Sequence, residues 1–158
     1  MKFYPLNMLS RLTSRLLLAN YSLFSGKILA VRALCLDEAR RIYLVRHTYT
    51  PGWHLPGGGV ENGMTAEETL HKELKEEGNL IIKGQPRLAQ VYLNSHASPR
   101  EHILLYTAEV RQAEMFHGNL EILEGRFFAL DELPSNMHPA TARRIGEFVT
   151  GHFAATRW

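Results

Sequence analysis

Three acidic residues, Glu73, Glu76 and Glu77, fall within about one turn of a helix-like segment, downstream of three consecutive glycines, Gly57 to Gly59. Like charges this close repel one another, so the crowding needs a physical reason. With residues placed at about 100° steps and Leu70 at zero, Leu74 and Ala66 fall about 40° to either side and form a core-facing stripe. On the same wheel Glu77 lies at about −20° and Glu73 at about −60°, so both border the apolar stripe, while Glu76 lies further round at about −120°. Lys72, Lys75 and Glu68 occupy the opposite face. An inward carboxylate without a counter-charge is very unfavourable. A hard divalent cation is the natural partner. Magnesium takes carboxylate oxygens and completes its shell with waters and phosphates, and manganese can substitute. The glycines let backbone approach a ligand or offer a carbonyl to the metal. Pairing within the helix, Glu68 with Lys72 and Lys72 with Glu76, is the competing explanation. It accounts for Glu68 and Glu76 but poorly for Glu73 and Glu77.

These residues need elements to hold them. Thr65-Ala66-Glu67-Glu68 is a capping box that starts a helix at Thr65, and Gly78-Asn79 tolerates the left-handed conformation that ends one. Before it, residues 27–36 and 42–47 read as the two strands of a hairpin joined by the turn 37–41. Pro51, Gly52, Pro56 and Gly57 to Gly59 break any regular element between strand and helix. Strands are expected over 86–95 and 101–110, and a further short one over 124–130. A second helix is expected from Pro139 to about Phe153, with Pro139 in its first turn. The order hairpin, helix, hairpin, strand, helix implies an α+β domain, with a mixed sheet between helices on its two faces.

With 158 residues, the chain is most simply one domain large enough for a real core. A net charge of +2 is too small to argue for nucleic acid. The one cysteine, Cys35, cannot form an internal disulfide and lies in an apolar run, which fits a reducing cytoplasm. Residues 1–25 form a separate extension before the domain at 26–158. They carry no acidic residue, and Leu9, Leu12, Leu16 and Ala19 recur at helical spacing beside Lys2, Arg11 and Arg15. An amphipathic helix is expected there. Packing on the domain, packing on a second copy in a homodimer, and weak contact with a membrane surface are its three readings.

Gly58, Glu73, Leu74, Glu76, Glu77 and Leu80 match in register the pattern G-x5-E-x7-R-E-U-x-E-E-x-G-U, with U aliphatic, and "LPGGGVENG" leads into it. The chain resembles the Nudix hydrolase family from Ile28 to about Leu133, including the closing "RFFALDELP". Three positions depart from the pattern: Met64 replaces Glu, Lys72 replaces Arg and Asn79 replaces Gly. In the family the Glu and Arg support the catalytic loop and helix. Lys72 keeps the charge without the planar fork of Arg, and apolar packing of Met64 would replace one support contact.

The resemblance implies a Nudix fold and magnesium-dependent hydrolysis of a nucleoside diphosphate linked to another group, X. It makes Glu73, Glu76 and Glu77 the catalytic set, beside Lys72. The implied metal ligands are those three glutamates, the Gly57 or Gly58 carbonyl, and Glu121 in the loop before the last strand. The base would be one of the helix glutamates or a downstream acid, with Glu121 the first downstream candidate and Glu124 the second. Arg46, Gly57, Gly58, Gly59, Trp53 and Tyr92 are the substrate-contact candidates; Arg46 reads equally as a sheet-edge charge paired on the surface, and for Trp53 and Tyr92, the rings a base would stack on, core packing is the default. Glu61 is a candidate loop support or water-mediated metal contact. Asn94, His96, Arg100 and His102 cluster near one turn and are candidates for lining the cleft. The alternative is a Nudix-fold nucleotide sensor whose departures at Met64, Lys72 and Asn79 have weakened turnover.

Overall fold

The computed structural model describes residues 26–158, so the expected helix within residues 1–25 lies outside the described residues. The elements run β1 (Ile28–Leu36), β2 (Ile42–His47), α1 (Ala66–Gly78), β3 (Leu80–Leu93), β4 (Glu101–Gln112), β5 (Ile122–Phe128) and α2 (Pro139–Thr150). The five strands form one mixed sheet in the order β3-β4-β1-β2-β5. β1 is parallel to β4, with Ile28 opposite Glu101 and Leu36 opposite Glu109. The other neighbours are antiparallel.

β1 is nearly continuous in apolar residues because both of its faces are covered. Val31, Ala33 and Cys35 pack with Tyr43, Val45, Leu70 and Leu74 on the α1 side. Leu34 packs with Ile42, Leu44, Leu105 and Ile145 on the α2 side. The expected α/β/α layering is thus present. α1 is held at both ends. The Thr65 hydroxyl accepts from Glu68 N–H, the Glu68 carboxylate accepts from Thr65 N–H at 2.8 Å, and Asn79 closes the helix at φ 52°. Thr65→Ala is expected to destabilise the domain by about 1 kcal/mol. Urea unfolding checks this as a lower midpoint at unchanged slope.

Several boundaries, and one pairing, differ from the sequence expectation. β3 begins at Leu80, directly after the helix, instead of near residue 86. Gly84 (φ 69°) lies within a register shift between Lys83 and Arg87, so a bulge carries the strand past Pro86. The last strand is 122–128 instead of 124–130, and α2 stops at Thr150, where Gly151 takes φ 68° as the cap. The expected 27–36/42–47 hairpin is real at its turn, but β1 and β2 pair only at Leu36 and Ile42. Beyond that pair the loop 53–60 lies between them. Val31 N–H donates to Gly58 O at 2.8 Å and Ala33 N–H to Pro56 O at 3.0 Å, while Val45 and His54 exchange both backbone bonds.

Candidate active site

The segment joining β2 to α1, whose residues 53–60 lie beside β1, brings the glycines to α1. Glu77 is 6% exposed, and its carboxylate accepts the Gly57 N–H at 2.7 Å. Gly57 takes φ 136°, and a Cβ there would stand 2.9 Å from the Val31 carbonyl carbon and 3.0 Å from Arg32 Cα. Only glycine passes this close to the strand. At Gly58 a Cβ would meet the Glu73 carboxylate carbon at 2.5 Å. The wheel's order is therefore realised, with Glu77 buried, Glu73 half-buried and Glu76 exposed. Behind them Tyr43 fills the space left by two glycines. Its ring lies 2.7 Å from where Gly78 would carry a Cβ, and its Cζ lies 2.8 Å from the same point at Gly125.

Glu121 joins the three glutamates from the other side. Together with Asn119, Leu120 and Ile122 they line a cleft of about 390 Å³. Asn119 fixes this loop. Its side-chain oxygen accepts from the N–H groups of Glu121 (2.9 Å) and Ile122 (2.7 Å), and its amide donates to Glu76 O at 3.1 Å. Thr48 binds the same loop through Glu121 O and Leu120 O. Glu124, by contrast, sits on β5 within 3.5 Å of both Arg46 and Arg126.

Four carboxylates around one cleft leave a strongly acidic, partly dry surface. Burial pushes Glu77 up to about 7, against the downward pull of the Gly57 N–H and the Arg32 guanidinium. Burial also raises Glu73, with the Lys72 charge opposing it. Among the described residues, no three His, Cys, Asp or Glu side chains converge at ligating distance, because Glu73 and Glu77 direct their oxygens at the glycine loop. The donor set is nevertheless all hard oxygen with surplus negative charge, which fits a magnesium-like ion. The Gly58 carbonyl already accepts from Val31 N–H and keeps its second lone pair.

A pH dependence follows for the metal-free protein. The folded state holds the Glu77 proton up to about pH 7, whereas an unfolded glutamate releases it near 4.3. Folding therefore takes up a proton between these values, and stability falls as pH rises through that window. The difference amounts to at most about 4 kcal/mol. Burial lowers the pKa values of His47, His54 and His138, which act in the opposite sense on acidification. Comparing thermal midpoints of wild type and Glu77→Gln in chelator isolates Glu77. The wild type should lose more stability from pH 5 to 7.5.

The other expected site residues divide clearly. Lys72 contacts Glu61 and lies 3.9 Å from Glu76, so it braces the loop after the glycines. Asn79 takes the left-handed cap conformation that glycine has in the family pattern. Met64 is half-buried, and its N–H donates to Glu61 O. Gly59 is open, with nothing within 4 Å of a Cβ.

Trp53 and Tyr92 offer no ring to a base. Trp53 is 3% exposed and edge-on to Phe128. Tyr92 is fully buried and its hydroxyl donates to Glu147 at 2.6 Å. Both belong to the core on the α2 side. Arg46 is held near Glu124 and over the Trp53 ring at 5.5 Å, facing a separate surface hollow with Pro51 and Leu123.

A second cleft of about 360 Å³ opens on the α2 side and includes Arg32, His47, His54, Asn94 and Trp158 in its lining. Of the turn cluster, Asn94 reaches it, whereas His96, Arg100 and His102 do not line it. Arg32 and His47 escaped the sequence reading. Arg32 lies inside an apolar strand and His47 at the end of one, and the one available signal was a basic or aromatic side chain in such a strand.

A buried helix carboxylate is thus bonded to a tight glycine loop and faces further carboxylates across one cleft beside a mixed sheet. The NUDIX domain family matches residues 26–148. Over 143 residues the chain is 31% identical to an ADP-ribose pyrophosphatase of Methanocaldococcus jannaschii, covering 84% of this chain and 83% of that protein. It is 27% identical to a putative 8-oxo-dGTP diphosphatase of Bacillus subtilis, covering 75% and 77%. Among solved structures, an ADP-ribose pyrophosphatase from Streptococcus suis superposes with a TM-score of 0.64 at 25% identity, covering 83% of this chain and 95% of that one. The chain belongs to the Nudix family.

Proposed function

We propose that the protein hydrolyses the pyrophosphate linkage of a nucleoside diphosphate joined to another group, X, with magnesium, or manganese in its place. The observation that carries this reading is the set of four carboxylates around one cleft, with Glu77 buried against the Gly57 N–H. The ion, when bound, neutralises charge on the pyrophosphate and acidifies an attacking water. Glu73, Glu76 and Glu77 would hold it, with Glu121 and the Gly58 carbonyl as further oxygens. Gly57 N–H orients the Glu77 carboxylate. Asn119 and Thr48 fix the Glu121 backbone, which places that carboxylate to accept a proton from water. Lys72 steadies the glycine loop through Glu61. Positioning and electrostatics supply most of the rate in such a site.

The binding-only alternative rests on Met64, Lys72 and Asn79. Two of these work in place: Lys72 braces the loop and Asn79 caps the helix. The matched ADP-ribose pyrophosphatases favour a sugar-linked diphosphate. Among the described residues no helix is long and apolar enough to cross a membrane, and we place the protein in the cytoplasm on the strength of its single buried thiol. The deciding experiment is a panel of nucleoside diphosphate sugars, dinucleotides and nucleoside triphosphates with magnesium or manganese. Release of a nucleoside monophosphate from at least one member is expected. Tight binding of one nucleotide with no turnover of any would establish a sensor instead.

A further inference from the structure

α1 does not cover the whole of its face of the sheet. The pairing register sets Leu29 beside His102 and Leu93, Val31 beside Leu104 and Val91, and Ala33 beside Tyr106 and Leu88. Paired residues share a face, and so do residues two apart along a strand. Val31 and Ala33 cluster with Leu70 and Leu74 of α1, so all three rows lie on the α1 side. Toward the β3 edge the cover ends. Leu29 is 42% exposed, Leu88 52% and Val91 40%, and Leu93 and Leu104 are half-buried among them. Single exposed leucines are ordinary, but aliphatic side chains on three adjoining strands form one patch.

The chain itself leads to this patch. Residues 1–25 lie outside the described residues, and Gly26 is where they join the domain. The Gly26 carbonyl accepts from Arg100 Nε at 2.6 Å, which fixes the junction beside the turn between β3 and β4, just ahead of Leu29. Leu9, Leu12, Leu16 and Ala19 recur at helical spacing. A helix runs about 15 Å over that stretch. From Leu29 to Leu88 the patch measures about 16 Å, two strand spacings across and two rows along. Residues 20–25 reach about 20 Å when extended, enough to turn the chain back onto the sheet.

Charge and area agree. The segment has no acidic residue, and Arg11 and Arg15 stand one turn apart beside the leucine stripe. At the border of the patch, Glu67 of α1 is exposed and close enough to Tyr106 to raise its pKa, second to burial. A second copy of the chain fits less well. Three part-exposed aliphatic side chains offer far less than the about 800 Å² per partner of a stable interface. A tethered segment needs no such area, because its effective concentration is on the order of millimolar.

We propose that residues 1–25 dock on this patch, with the Leu9, Leu12, Leu16 and Ala19 stripe against Leu29, Leu88 and Val91, completing the α1-side layer. The docked segment then backs the glycine loop, since Leu29 O accepts from Val60 N–H at 2.8 Å. The inference holds whatever the carboxylate cleft hydrolyses.

The test uses the full chain, without nucleotide. Leu12→Asp/Leu16→Asp should lower the thermal midpoint by about 3 °C or more. Leu88→Asp/Val91→Asp should lower it too, and the two pairs combined should fall clearly short of the sum, because both remove one contact. Additive shifts, or an unchanged midpoint in Leu12→Asp/Leu16→Asp, overturn the inference. A shift seen only at concentrations where the protein is dimeric assigns the patch to a second copy and overturns it as well. So does an unchanged midpoint joined to co-sedimentation of wild type, but not the variant, with anionic vesicles. Disulfide trapping keeps the question open to test where a charged variant fails to fold. Cys35 is buried and stays out of the reaction. Leu16→Cys, combined in turn with Leu29→Cys, Leu88→Cys and Val91→Cys, should link within one chain in at least one pair. Combined with Leu123→Cys, exposed on β5 at the far edge of the sheet, it should not link. No link in the three pairs, or equal linking in the control, overturns the docking.

Discussion

Glu77→Gln is expected to lower kcat on the best diphosphate substrate by about 100-fold or more. The amide has the same shape and keeps an oxygen that accepts the Gly57 N–H, so the glycine loop stays where Glu77 now holds it at 2.7 Å. What disappears is the negative charge. A neutral amide cannot balance a divalent ion in a position that is only 6% exposed. The same change removes a buried carboxylate, so the metal-free variant should be at least as stable as wild type at pH 7.5. Two measurements separate charge from packing. Steady-state kinetics in magnesium should show the fall in kcat. Titration with manganese should raise the thermal midpoint of wild type and leave the variant nearly unmoved. A variant within about threefold of wild type in kcat would remove Glu77 from the chemistry.

Gly57→Ala is expected to destabilise the domain by about 3 kcal/mol or more, the range in which strained backbone and steric conflict combine. The methyl would press on the Val31 and Arg32 backbone of β1, and alanine does not adopt φ 136° without strain. Neither partner can rotate away, because both are main chain in the middle of the sheet. The neighbouring glycines supply the contrast. At Gly58 the atoms nearest an added Cβ are the end of the Glu73 side chain, which can swing aside. Gly58→Ala should change stability little while displacing a carboxylate, so activity should fall in a folded protein. Gly59→Ala meets nothing and should stay within about 0.5 kcal/mol of wild type. Urea denaturation of the three variants checks the series. Equal stability for Gly57→Ala and Gly59→Ala would contradict the close approach of loop and strand.

Local features were legible in the chain. Thr65, Glu68 and Asn79 mark the ends of α1 because capping is decided within a few residues. The wheel ranked Glu77, Glu73 and Glu76 by depth because a helix converts spacing directly into direction. Glu121 lines the cleft with the helix glutamates, whereas Glu124 sits on β5 beside Arg46. Long-range features were not legible. Nothing near Ile28 or Glu101 encodes their parallel pairing across more than seventy positions. Nor does a sequence say that a glycine loop, instead of β2, runs beside Val31 and Ala33. Trp53 and Tyr92 are stacking candidates on residue type alone, and their burial agrees with core packing, the default for both. An aromatic ring fills a core as readily as it stacks on a base, and only the fold decides which. Arg32 hid for the opposite reason, as a single charge in a strand otherwise buried on both faces.

The wedge of residues 53–60 has one more implication. Strands ordinarily shield one another's amides, but Val31, Ala33 and Val45 find their acceptors in Gly58, Pro56 and His54 respectively. Their deuterium uptake would therefore follow the breathing of a loop and not the melting of a ladder. A ligand that clamps the glycines should slow exchange deep inside the domain, at amides it never touches.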